Sequence, residues 1–219
     1  MPARNSRKIY LANSYYHLYN RGVEKRIIFQ DEQDYAVFLS YLKQYLLPKP
    51  ISELQKKLSN PSTFYKERAS IIQLIRLNNF SDNLKLLAYC LMPNHFHLEV
   101  NQETPETIDV FMNSLCTRYT MYFNKRHNRV GHLMQGVYKA VPVTSDSQLL
   151  ELSRYIHKQA IVLNNQPSSY LEYMEQRKTE WVHPEIILNY FSKSKPDMDY
   201  EYFVNGDNRF ENIDKIRLE

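Results

Sequence analysis

The chain has 219 residues, 43% of them apolar, enough for one domain, or one domain with an appended piece, to bury a core of its own. Lys and Arg number 28 against 24 acidic residues, a mild bias that suits a polyanionic partner and equally describes an ordinary basic protein. Cys90 and Cys116 are the only cysteines and have no CxxC or nearby histidine spacing, which excludes a disulfide framework and a zinc knuckle, and no signal-like or membrane-length apolar run occurs, so a cytoplasmic protein with no membrane partner is expected by default.

In chain order, Tyr15 to Asn20 is an aromatic, strand-like run that ends at Arg21-Gly22. From Asp31 to Leu46, Tyr35, Phe38, Leu39, Leu42, Tyr45 and Leu46 recur at three- and four-residue spacing behind an Asp31 N-cap, which predicts an amphipathic helix. Pro48 and Pro50 stop it. The polar stretch Ile51 to Asn83, weakly helical around Ile71 to Leu77, reads as an insertion of no assigned role. Leu84 to Met92 and His95 to Val100 flank Pro93-Asn94, the composition of two antiparallel strands around a hairpin turn, and both are expected to be central. A helix is predicted over Ile108 to His127, an extended segment over Gly131 to Val143, and a further helix from Gln148 to about Leu163 with Asp146 as its cap. The order β-α-β-β-α-β-α predicts an α+β fold: a ferredoxin-like antiparallel sheet (split βαβ) with helices on one face, plus one additional C-terminal helix. Residues 1–191 form the expected main domain, and 192–219, which mixes charges with Tyr200, Tyr202 and Phe203, a peripheral segment.

Three features bear on chemistry. In Asn94-His95-Phe96-His97 the histidines stand two apart in a strand and leave the same sheet face. Two imidazoles so placed can grip an ion, although paired histidines also serve as hydrogen-bonded surface residues. In Tyr155-Ile156-His157-Lys158-Gln159, Tyr155 and Gln159 share a helical face opposite the apolar Leu149, Leu152 and Ile156. Periodicity alone leaves Tyr155 a packed aromatic and Gln159 a solvated helix former. Residues 111 to 140 carry Arg118, Lys125, Arg126, His127, Arg129, His132 and Lys139 and no acid, interleaved with Tyr119, Tyr122, Phe123 and Tyr138. That mixture suits phosphate contact with base stacking and would equally make a solvated helix face. Arg21 is a further candidate contact.

The motifs Tyr15-Tyr16-His17-Leu18-Tyr19-Asn20-Arg21-Gly22, Leu91-Met92-Pro93-Asn94-His95-Phe96-His97, Gly131-His132-Leu133-Met134-Gln135-Gly136 and Tyr155-Ile156-His157 occur in one order. Together they resemble the HUH single-tyrosine transposases of the insertion-sequence 200/605 superfamily, and within it the REP-associated tyrosine transposases, over about Tyr10 to Phe203. The resemblance implies that Tyr155 is the nucleophile and that His95, His97 and Gln159 hold a divalent metal, Mg²⁺ or Mn²⁺. It also implies cleavage and rejoining of single-stranded, hairpin-bearing DNA through a 5′-phosphotyrosine link, by a monomer or homodimer. Arg21, Arg118, Tyr122, Lys125, Arg126, Arg129, His132 and Lys139 are then the candidate DNA contacts. Where REP-associated members read Tyr-Ile-His-x-Asn-Pro-Val, this chain has Gln159-Ala160-Ile161; Gln keeps the amide oxygen on a longer arm. The alternative function is a hairpin-binding protein, descended from a transposase, that does not cleave.

Overall fold

The computed structural model describes residues 9–163, 166–191 and 199–206. Strands β1 (Ser14–Arg21), β2 (Leu84–Met92), β3 (His95–Gln102) and β4 (Lys139–Val143) form one antiparallel sheet in the order β2-β3-β1-β4. Helices α1 (Glu32–Leu46) and α4 (Thr107–Arg126) occupy the two crossovers, which is the ferredoxin-like order predicted from the chain.

The period-two alternation of the strands sends two different side-chain sets to the two faces. Tyr16, Leu18, Phe96, Leu98 and Val100 join Phe38, Leu42, Phe111, Leu115 and Tyr119 of α1 and α4 in one buried core, where each large side chain withdrawn from water contributes about 1.5–3 kcal/mol. Asp31 caps α1 as expected, its side chain accepting from the Asp34 amide at 3.2 Å. Asp34 itself is fully buried and ties α1 to α4 through Arg126, Tyr122 and His127.

The opposite face is covered by α5 (Asp146–Val162), whose Leu149, Leu152, Ile156 and Ala160 pack on Leu87, Ala88, Cys90 and Met92. Its N-cap is Ser145, which accepts from the Gln148 amide at 3.2 Å. Asp146 is therefore the first helical residue and not the cap: the serine one position earlier has the extended backbone a cap requires.

Two further expectations need correction. β3 is central, but β2 lies at the sheet edge. It is as apolar as an inner strand because residues 167–183 cover that edge: Leu91 donates to the Pro167 carbonyl at 2.9 Å, Ser169 to Tyr89 at 3.1 Å and His183 to Leu86 at 2.8 Å. Within Gly131 to Val143 only β4 is a strand; the rest is a loop with one bridge, Met134 to Gly22. The stretch 51–83 holds two helices, α2 (Ile51–Ser59) and α3 (Tyr65–Arg76), which bury only Ile71 between them. In the C-terminal stretch α6 (Tyr200–Asn205) packs against α5, while 192–198 and 207–219 fall outside the described residues. Among the described residues no helix is long and apolar enough to cross a membrane.

Candidate active site

On the α5 face, β3 presents His95, His97 and Glu99, and β1 presents His17, Tyr19 and Arg21 beside them: Tyr19 pairs with His97, His17 with Glu99 and Arg21 with His95. The Pro93-Asn94 turn before His95 is clamped from outside the hairpin. Gly22 donates to the Asn94 carbonyl at 2.8 Å, and Ile28 and Phe29 donate to Pro93. Gly22 must lack a side chain, since a Cβ there would sit 2.2 Å from the Arg26 carbonyl oxygen.

The turn also orients the first imidazole. Asn94 donates from Nδ2 to the Lys25 carbonyl at 3.3 Å, which turns its Oδ1 toward His95 Nδ1, 2.6 Å away. An amide oxygen only accepts, so His95 carries its proton on Nδ1 and leaves the Nε2 lone pair open. That Nε2 faces Gln159 Oε1 at 3.3 Å, where a second acceptor meets it. Two lone pairs at this separation repel unless a cation lies between them, so the donor set fits a metal ion. His97 is fully buried, its Nδ1 is 2.8 Å from His17 Nε2, and its Nε2 has no hydrogen-bond partner. Burial, reinforced by its imidazole neighbours, holds His97 well below the usual histidine pKa; burial likewise lowers His95. Both rings are thus neutral. Among the described residues no three His, Cys, Asp or Glu side chains gather as a metal cage; the set here is two imidazoles and an amide.

The ring of Tyr155 meets His97 edge-on at 5.5 Å and His17 at 6.4 Å between centroids. Its helix is held by His157, fully buried two residues on from Tyr155 and bonded to Tyr200 Oη and Ser169 Oγ, both at 2.7 Å. Burial pushes the His157 pKa down to about 3, so this link stays neutral and fixes α5 over the sheet. Four side chains distant in sequence, His95, His97, Tyr155 and Gln159, are therefore brought together as expected.

Of the candidate DNA contacts, Arg21 and Lys139 share this face: Arg21 pairs with His95, and Lys139 pairs with Tyr19 on the edge strand. Arg21 donates to Gln135. His132 is exposed and lines a groove of about 460 Å³ with Asn20, Thr117 and Tyr138. Lys125 is exposed on α4, and Arg129 donates to Asn124 at 2.8 Å. Arg118, Tyr122 and Arg126 are not brought to the Tyr155 centre. Arg118 stacks on Tyr41 at 3.8 Å and bonds Gln44, while Tyr122 and Arg126 bond Asp34 between α1 and α4.

Sequence reasoning passed over His17 and Glu99. Glu99 follows from extending the same period-two rule outward from His95 and His97, whereas His17 is brought beside them only by the pairing of β1 with β3. Glu99 is fully buried, neither carboxyl oxygen has a hydrogen-bond partner, and burial raises its pKa well above the usual carboxylate range.

The fold and site thus define a ferredoxin-like α+β protein with a two-histidine strand set against a tyrosine-bearing helix. Residues 61–159, a stretch that includes all four central residues, match the family described as "Transposase IS200 like". Among solved structures it is similar to a REP-associated tyrosine transposase bound to a REP hairpin, at 8% identity over 82% of this chain and 96% of that one, with a TM-score of 0.47. It is also similar to a candidate transposase of Deinococcus radiodurans R1, at 16% identity over 76% and 98%, with a TM-score of 0.28. No curated protein matches the chain.

Proposed function

We propose that the protein is a REP-associated type of IS200-like transposase that cuts and rejoins single-stranded, hairpin-bearing DNA with Tyr155 as nucleophile. The observation that carries this reading is the approach of Gln159 Oε1 to His95 Nε2 at 3.3 Å, with the His97 ring 5.0 Å from that of His95 and the Tyr155 ring 5.5 Å from that of His97. His95, His97 and Gln159 would hold the ion. Two nitrogens, one amide oxygen and no thiolate suit Mg²⁺ or Mn²⁺. When bound, such an ion supplies positive charge where a phosphate gains negative charge.

The chain's own residues do the rest. A free phenol has a pKa near 10, so Tyr155 needs its attack aligned and the developing charge offset. The Tyr155 oxygen bonds to phosphorus and gives up its proton, the bond to the 3′ oxygen breaks, and that oxygen leaves as a 3′-hydroxyl. A different 3′-hydroxyl then attacks the phosphotyrosine and restores the phenol. The ester energy is kept throughout, which accounts for joining without a nucleotide cofactor. Arg21 and Lys139 flank the row and bind phosphates there; Lys125, Arg129 and His132 extend the basic path along the neighbouring surface.

The test is incubation of the protein with 3′-labelled hairpin oligonucleotides and Mn²⁺. A covalent complex that survives denaturation, requires metal and disappears in Tyr155→Phe is expected. Tight hairpin binding without any adduct would replace this reading with the non-cleaving binding protein.

A further inference from the structure

We infer that His17 is a positioning residue for the metal centre: its Nε2 accepts a hydrogen bond from His97 Nδ1–H and so fixes His97 as the tautomer whose Nε2 lone pair faces the ion. The inference rests on the metal reading given above. Its geometric basis is the 2.8 Å contact between His17 Nε2 and His97 Nδ1, made with both residues fully buried. One proton lies between these nitrogens, and its owner decides what His97 can do. If His17 donates, His97 carries its proton on Nε2 and has no lone pair there for an ion; if His97 donates, His17 carries its second proton on its own buried Nδ1, so the cost of a buried N–H falls on one ring or the other. Only when His97 donates does its Nε2 keep the lone pair that a metal ligand needs.

The neighbouring ring supports the same allocation by an independent route. Asn94 Oδ1 accepts from His95 Nδ1 and leaves its Nε2 toward Gln159. Both histidines are thus anchored through Nδ1 and presented through Nε2, one by a turn amide before β3 and one by an imidazole across the β1–β3 pairing. Metal-binding histidines generally donate their second ring nitrogen to such a partner, and losing it lowers metal affinity about 10–100-fold. His17 and His97 rings also stack, at 5.0 Å and 22°, which limits rotation of the ligand ring.

The experiment reads tautomer and affinity separately. In ¹⁵N-labelled metal-free protein, long-range ¹H–¹⁵N spectra should show His97 protonated on Nδ1 and bare on Nε2. Mn²⁺ affinity, measured by titration of the free-ion EPR signal, should fall about 10–100-fold in His17→Leu and recover in part in His17→Gln, whose amide oxygen can accept the same bond. His17→Gln also keeps the test sound if His17→Leu folds poorly. An Nε2-protonated His97 in the native protein, or a folded His17→Leu that binds Mn²⁺ as tightly as native, overturns the inference. Native protein that binds no Mn²⁺ fails earlier, at the metal reading itself, and takes the inference with it.

Discussion

The two faces of one sheet are built from alternate residues of the same strands, yet they obey different rules. Toward α1 and α4, Phe96, Leu98 and Val100 meet rings and aliphatic chains, and nearly all the buried surface is apolar. Toward α5, the intervening His95, His97 and Glu99 meet His17, Tyr155 and Gln159, in a layer where imidazoles and a carboxyl are buried among apolar neighbours. Burying such groups is unfavourable unless they are paired, so the first face supplies stability that the second gives up for chemistry.

Mutations should separate the faces. On the apolar side Phe96→Ala removes a fully buried ring and should lower unfolding free energy by about 3–5 kcal/mol in urea titrations. Loss of much less would mean that the core tolerates a cavity. On the polar side Gln159→Ala, at a partly exposed helix position, should move stability by no more than about 0.5 kcal/mol while abolishing the metal-dependent adduct; an unaffected adduct would remove Gln159 from the centre.

Acid should act on the polar face. His157 titrates near 3 when folded against 6.5 as its ordinary value, and His95 and His97 are lowered too. The unfolded chain takes up these protons first, so their contribution is complete above pH 6.5 and declines as pH falls toward the folded values. His157 alone should give a slope of up to about 1.4 kcal/mol per pH unit, absent in His157→Gln, as measured by denaturation at pH 7, 6 and 5. Glu99 has the opposite sign: its raised pKa means its contribution is complete below 4.5 and is lost as pH rises. Glu99→Gln should therefore raise stability by about 1 kcal/mol at neutral pH and by less at pH 4.5. Equal effects at both would show that the carboxyl is not held in its neutral form.

A binding effect sharpens the comparison at its rim. Lys139→Ala should weaken hairpin binding by about tenfold at low salt and lower the salt slope by about one unit. Lys125→Ala, at an equally exposed position away from the β1–β4 pairing, should change it less.

How much of this was legible in the chain depended on the range of the rule involved. That His95 and His97 share a sheet face and Tyr155 and Gln159 a helix face follows from local periodicity, as do the α1 and α4 stripes, and the element order implied the strand order; that the four residues meet in one centre was implied by the resemblance. What local rules could not reach was set by cross-strand pairing or distant cover. His17 meets His97 only through the β1–β3 register, and β2 reads as an inner strand because residues 167–183 hide it. Arg118 and Arg126 read as a basic surface until Gln44, Asp31 and Asp34 of the α1 region are seen to engage them. At α5 the error was one residue, because Ser145 and Asp146 are both good caps by type and only backbone conformation distinguishes them.

The cover over β2 also orders events during synthesis. An apolar strand whose edge is closed by residues about 80–95 positions later leaves the ribosome with its hydrogen-bonding rim open, a ready template for pairing with a neighbouring nascent chain. Until residues 167–183 arrive, the sheet has a sticky side, and truncation within that segment should yield insoluble protein even though every residue of the strand pairs and of the histidine motif is already in place.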